Sequence, residues 1–259
     1  MPVVASFGGG LNSTAMLIGM VKRGDPVHLV LFADTGGERP ATYEHTAAFS
    51  QWLLDHGIPV AWTRWYRMMG EDKGKFVSLE QTSLERKELP SLAYGFKGCS
   101  TKWKRQPLDR AVKAWPDAQA AWARGEKVTR LLGFDADEAY RADRERGCKR
   151  FNYRYPLLEW DWDREECAKV VREAGFGCVP KSSCFFCPAL KLAEIIAMRN
   201  HEPDLYERAI AIEDNAVTRQ EDRGLGGSKR KWRDIVKRTD TQTSFLPPPP
   251  PPTCGCYDG

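Results

Sequence analysis

The first 65 residues alternate short apolar runs with longer stretches whose apolar positions recur at helical spacing. Residues 3–7 read as a strand buried on both faces and run into Gly8-Gly9-Gly10. Residues 13–22 place Ala15, Met16, Leu17, Ile18 and Val21 in a helical pattern. Residues 28–33 form a second β-branched apolar run, followed by Asp34-Thr35-Gly36-Gly37. Pro40 suits the first turn of a helix that the pattern carries to Leu54, and residues 59–65 form a third strand. Strand–helix–strand–helix–strand predicts parallel βαβ units. Residues 129–134 and 153–158 supply a fourth and a fifth strand. The expected fold class is α/β: a doubly wound, mostly parallel sheet with helices on both faces, plus a helical C-terminal part.

Beyond residue 162 the pattern is helical. Asp163 and Glu166 have capping-box spacing, and Cys167, Val170, Val171 and Ala174 follow on one face. Pro188 and Pro203 open two more helices, with Leu192, Ile195 and Ile196 inward in one and Leu205, Ala209 and Ile212 inward in the other. Residues 219–246 are polar, basic and glycine-bearing, and read as a loop. Residues 247–252 are six prolines, an extended stiff spacer before the last seven residues. The chain therefore divides at 1–162, 163–218 and 219–259.

Composition narrows the class. At 259 residues, 42% hydrophobic and 29% charged, the chain reads as an ordinary globular protein that needs no disulfide staples. No apolar run approaches the roughly 18 residues of a spanning helix. No basic segment precedes the first apolar run, so the expected compartment is the cytoplasm. A net charge of +4 permits a nucleic-acid partner without demanding one.

Ser6, Gly8, Gly9, Gly10, Asn12, Ser13 and Thr14 join the first strand to the first helix. Backbone amides at a helix N-terminus attract anions, glycines let phosphate oxygens approach, and hydroxyls add donors. No Lys precedes Ser13, so this is not a Walker loop. The segment resembles the Ser-Gly-Gly-x-Asp-Ser-Thr pyrophosphate loop of the adenine nucleotide alpha-hydrolases. Three further landmarks resemble the phosphoadenosine phosphosulfate (PAPS) reductase branch of that superfamily: Asp34-Thr35-Gly36 with Pro40-Ala41-Thr42-Tyr43; Gly98-Cys99-Ser100 with Lys104 and Pro107-Leu108; and Gly133 with Asp137-Glu138 and Arg141. The likeness covers roughly residues 3–190. It implies a nucleotide-binding domain over 1–162, with ATP or PAPS on residues 8–14, Asp34, Thr35 and Gly36 beside the adenosine, and Lys104 and Arg141 as catalytic cations. Three positions depart from the family pattern. Asn12 replaces a loop Asp that could help hold Mg²⁺, Asp135 replaces an Arg of a sulfonate clamp, and Ser100 replaces a second Cys.

The chain has eight cysteines. In a reducing compartment, clustered cysteines are more often metal or redox ligands than disulfides. Cys184-Phe-Phe-Cys187 has chelating spacing. By resemblance to the sulfate-reducing enzymes, which carry cluster ligands at the motif holding Cys99, that residue joins Cys184 and Cys187 as a third ligand for a [4Fe-4S] cluster, with zinc as the alternative metal and Cys178 the nearest fourth. Cys167 reads as core. Thr253-Cys254-Gly255-Cys256 resembles the mobile tail of the PAPS reductases, which makes Cys254 their nucleophile by resemblance. Lys229, Arg230, Lys231, Arg233, Lys237 and Arg238 surround Trp232, a segment that could grip phosphates and stack a base. The expected function is ATP pyrophosphatase chemistry coupled to sulfur transfer. The acceptor is a nucleic acid or a small molecule, and a sulfur-donor protein is an expected partner. PAPS or adenylyl-sulfate reduction through Cys254 is the first alternative, and a metal-stapled nucleic-acid-binding module the second.

Overall fold

The structure is a computed structural model that describes residues 1–71, 73–142, 148–218 and 223–242. Strand β1 (Val3–Phe7), helix α1 (Leu11–Arg23), β2 (Leu29–Asp34), α2 (Pro40–Asp55) and β3 (Val60–Arg64) follow the predicted alternation. Helices α3 (Leu79–Arg86), α4 (Gln106–Ala114) and α5 (Pro116–Ala123) precede β4 (Val128–Leu131). The single turn α6 (Ala139–Ala142) precedes β5 (Phe151–Arg154), and α7 (Pro156–Glu159) and α8 (Arg164–Glu173) come next. Helices α9 (Leu192–His201), α10 (Pro203–Asn215) and α11 (Trp232–Gln242) complete the described chain. The fifth strand starts earlier than its sequence pattern and stops at Arg154, because Pro156 has no N–H for a ladder and opens α7 instead.

The sheet has the order β3-β2-β1-β4-β5 and every neighbouring pair is parallel. Alternate residues of β1 serve two cores: Val3, Ala5 and Phe7 face one, Val4 the other. Strand β2 divides likewise, with Val30 and Phe32 on the first side and Leu31 on the second. Burial on both faces is why the two strands read as apolar runs rather than as alternation. Helices α1, α2 and α8 cover the first face, and α4 and α5 the second.

A separate core gathers Leu79, Leu89 and Trp103 with Phe185, Phe186 and the helices α9, α10 and α11. Helix α8 belongs to the sheet core through Cys167, Val170 and Val171, although its sequence groups it with the helices that follow. Asp163 caps α8 by accepting from the Glu166 N–H at 2.8 Å, as the spacing predicts. Helix α9 begins at Leu192, four residues beyond Pro188, and Leu192, expected inward, is exposed at the first position of the helix. The intervening chain is held by turns from Cys187 N to Cys184 O and from Leu190 N to Cys187 O, both 3.0 Å.

The segment expected as a basic loop is corrected by α11. Trp232 is fully buried and Val236 nearly so. The buried Glu213 carboxylate accepts from the backbone N–H of Leu225 at 2.7 Å and of Trp232 at 2.9 Å. It thereby satisfies the first N–H of α11 and one in the turn that precedes the helix, where the sequence reads as loop. Trp232 is therefore a core residue and not a platform for a base. The proline run, Cys254 and Cys256 lie outside the described residues.

Candidate functional site

The sheet grows outward in opposite directions from β1 and from β4, so the crevice between their carboxyl ends is a topological switch point, where open α/β sheets bind ligands. The loop after β1 and the loop after β4 meet there. A Cβ on Gly133 would stand 3.0 Å from Ser13 Cα and 3.1 Å from Asn12 O, so only glycine lets the two backbones lie this close. Gly9 is required twice over. Its φ is +74°, and a Cβ would stand 2.8 Å from Thr46 Oγ1. Gly10, expected to need the same bareness, has φ −111° and room for a Cβ 3.4 Å from Ser182.

No side chain caps α1, which leaves its N-terminal amides to a ligand. Ser13 Oγ receives the Gly8 N–H at 3.2 Å and donates to Gly10 O at 3.0 Å. Thr14 Oγ1 donates to Gly10 O at 3.0 Å and meets His45 Nε2 at 3.0 Å. Because the Thr14 proton is committed, the network assigns the Nε2–H tautomer to His45. Burial holds that imidazole neutral, with its pKa lowered to about 4.

The loop opens into a cleft of about 370 Å³. Ser6, Gly8, Gly10, Asn12 and Ser13 line it, together with Lys104, Arg141, Arg164 and Lys181. Four cations and the single carboxylate of Glu138 suit a polyanion. Gly9 and Thr14 shape the loop from behind without lining the cleft. Ser182 closes the rim by donating its hydroxyl to Gly8 O. Lys181 is steadied by Glu194 at 2.9 Å, and the Arg141 guanidinium lies 4.3 Å from the Phe134 ring centroid while bonding Glu138.

Two departures from the family pattern turn out to be partners. Asn12 Nδ2 donates to Asp135 Oδ2 at 2.8 Å and approaches Glu138 Oε2 at 3.4 Å. Asp135 is buried and also caps the turn at Glu138 N at 3.0 Å. Burial pushes its carboxyl pKa up, against the pull of Asn12. An amide at position 12 can donate to this carboxylate, whereas a carboxylate there would face it as a like charge.

Asp34, Thr35 and Gly36 do not line the cleft. Asp34 accepts from Gly36 N at 2.8 Å, Tyr43 Oη at 2.7 Å and Arg64 Nε at 2.8 Å. Its oxygens hold the turn after β2 and leave little for a ribose. Desolvation and then Asp34 push the Tyr43 phenol well above its usual range. Thr35 turns the other way: its hydroxyl lies 3.2 Å from Cys184 Sγ, and its carbonyl accepts from Leu79 N at 2.9 Å.

Cys99, Cys184 and Cys187 belong to the separate core around Trp103, Phe185 and Phe186. Burial raises the Cys184 and Cys187 thiols, each of which also feels Glu38 and Lys104. Lys104 bridges the two regions. It lines the cleft, and its Nζ is 2.9 Å from Glu38, whose side chain is fully buried. Desolvation works to lower the Lys104 pKa, but Glu38 and the thiols overcome it and the net shift is upward. Cys178, the expected fourth ligand, is exposed, carries a disulfide bond and lies outside this core. Among the described residues, no three His, Cys, Asp or Glu side chains stand in metal-holding geometry. Cys167 is buried in the sheet core as expected, and burial raises its thiol pKa to about 12.

Glu38, His45, Arg164 and Ser182 have no role in the sequence reading. Glu38 had one legible signal, its place directly after Gly37, where a Cβ would meet the Phe186 ring at 2.7 Å.

No family profile matches the chain, and no curated protein matches it. Among solved structures, the fold has a distant likeness to the U34-tRNA thiolase NcsA from Methanococcus maripaludis, determined with its [4Fe-4S] cluster. The match has a TM-score of 0.42 at 12% identity, over 99% of this chain and 75% of that one. No helix among the described residues is long and apolar enough to cross a membrane.

Proposed function

We propose that this chain is an adenine-nucleotide-dependent enzyme that activates a substrate by its attack on the α-phosphorus of ATP, in preparation for sulfur transfer. The observation that supports this reading is the Gly9-strained loop on α1, at the β1/β4 switch point, facing Lys104, Arg141, Arg164 and Lys181. The α1 amides would receive the departing pyrophosphate. Lys104 and Arg141 would offset the charge that builds on the phosphate oxygens, in a site whose cations are already oriented by Glu38 and Glu138.

Three soft thiol donors packed into the same apolar core have the chemistry for an iron–sulfur cluster or zinc, and they would have to draw closer together to hold one. Cys99, Cys184 and Cys187 would hold it, and it would supply a carrier for sulfur or electrons. The tests use the full chain, purified without oxygen. Calorimetry should show ATP binding, and a sulfur acceptor should elicit pyrophosphate and AMP. Serine at Cys99, Cys184 or Cys187 should remove bound iron or zinc, and Cys167→Ser should retain it. Equal indifference to ATP and PAPS would overturn the nucleotide reading. Thioredoxin-dependent sulfite release from PAPS, without pyrophosphate from ATP, would install the reductase reading in its place.

A further inference from the structure

A second cavity is larger than the loop cleft. It measures about 850 Å³ and lies against the π-helical segment Ser100–Arg105, whose Lys102 and Trp103 line it while Lys104 lines the loop cleft. One short segment thus forms a wall of both spaces. Cys99, immediately before that segment, also lines the larger cavity and is half-buried, its N–H bonded to Ser91 Oγ at 2.6 Å.

The lining has two characters. Tyr94 and Phe96 are 40% and 58% exposed, with ring centroids 6.4 Å apart and planes 31° apart, so they offer aromatic surface to an incoming ring. Positive charge lines the same cavity through Arg86, Lys102 and Arg223, the last 5.3 Å over the Tyr94 ring, beside the carboxylate of Glu88. The Lys102 ammonium is 4.2 Å from the centroids of both Trp65 and Trp103. Neither Lys102 nor Arg86 forms an ion pair among the described residues. Burial lowers the Lys102 pKa, and the neighbouring positive charges of Arg86 and Arg67 lower it further, with Glu88 opposing them. Like charges crowded into an apolar-walled space are relieved by an anion. A cavity of this size encloses one small organic molecule.

We propose that this cavity is a second ligand site for a planar aromatic anion, with its ring on Tyr94 and Phe96, its phosphate or sulfonate toward Lys102 and Arg86, and Cys99 at its edge. The site is distinct from the loop cleft and does not depend on what the loop binds. A nucleotide has this chemistry whether free or within a strand, and a simple aryl phosphate shares it.

The test follows carboxamidomethylation of Cys99 in the full chain after chelation of metal, by peptide mass spectrometry. Exposed Cys148 is the internal control, and buried Cys167, unlabelled in folded protein, reports on the fold. Phenyl phosphate, uridine 5′-monophosphate and a single-stranded octanucleotide are the probes, with phenol and uridine as their uncharged counterparts. At least one anionic probe should slow Cys99 labelling about tenfold while Cys148 is unchanged. The Lys102→Gln/Arg86→Gln double variant should abolish the protection. Protection by the monophosphates assigns a free ligand, and protection by the octanucleotide alone assigns a nucleic-acid strand. The proposal is overturned by labelling that no probe slows, by equal protection from the uncharged counterparts, or by protection that survives in the double variant. Failure of ATP to bind the loop would leave this result untouched.

Discussion

The loop cleft and the thiol core share Lys104 but are assembled in different ways. The loop is a continuous stretch of backbone at the end of the central strand, and its anion-binding capacity comes from amides and glycines seven residues apart at most. The thiol core draws Cys99, Cys184 and Cys187 from segments about 85 residues apart, held by the packing of Phe185, Phe186 and Trp103. A site made of backbone is disabled by adding a single Cβ. A site made of side chains in a separate core is disabled by loosening the core. The difference teaches which kind of substitution tests which region.

The largest effect is expected at Gly9. Gly9→Val puts a β-branched residue at φ +74° and a Cβ within 2.8 Å of Thr46. Backbone strain alone costs about 1–3 kcal/mol, and nucleotide binding should be lost. Gly10→Ala, with φ −111° and a 3.4 Å contact, should keep the native melting temperature. Thermal unfolding and ATP calorimetry on the two variants check the contrast, and undiminished ATP binding by Gly9→Val would break it.

The thiol core should answer to Glu213 instead. Glu213→Ala orphans the buried N–H groups of Leu225 and Trp232, at about 1–3 kcal/mol for each lost partner. Urea unfolding measures the loss. Glu213→Gln, which keeps an acceptor oxygen, should recover part of it, and an Ala variant as stable as the native chain would show that α11 is not held this way.

Acid should act on the loop side. His45 has a folded pKa of about 4 against an ordinary 6.5. A value lowered by folding means that the unfolded chain binds the proton first. The stability contribution is therefore complete above about pH 6.5 and is lost as pH falls toward 4, by about 3 kcal/mol in total. His45→Gln should flatten that window in a series of unfolding curves. An unchanged slope between pH 6.5 and 4 would move the source of acid sensitivity elsewhere.

The smallest effect sharpens the view of the loop as a coupled unit. Asn12→Asp sets a carboxylate 2.8 Å from Asp135, and should cost about 1 kcal/mol at this partly buried position. Asp135→Asn should restore the stability in the double variant, a coupling that a double-mutant cycle measures directly. Independent, additive effects would mean the two residues are neighbours without being partners.

Much of this arrangement was legible in the order of residues. The βαβ alternation, the Asp163 cap, the core role of Cys167 and the position of the glycine loop all follow from local periodicity and turn chemistry, which act over a few residues. The structure brings Lys104 and Arg141 together at the cleft. Three readings failed for a common reason. Asp34 was taken for a ligand contact, but Tyr43, Gly36 and Arg64 occupy its oxygens. The segment around Trp232 reads in the sequence as a basic loop, but Glu213 captures the start of a helix there and Trp232 is buried. Cys178 was taken for the fourth metal ligand, but it carries a disulfide and lies outside the thiol core.

The sequence by itself determined the sheet, the loop and the residue types available to the chemistry, because backbone geometry and hydrophobic spacing are local properties. Only the tertiary structure decided which polar groups remain available. It joined Asn12 to Asp135 across 123 residues, placed Glu38 under Lys104, and set Lys102 and Lys104 to line different cavities. Whether a polar side chain serves a ligand or the fold depends on what packs beside it, and those neighbours are distant in the chain.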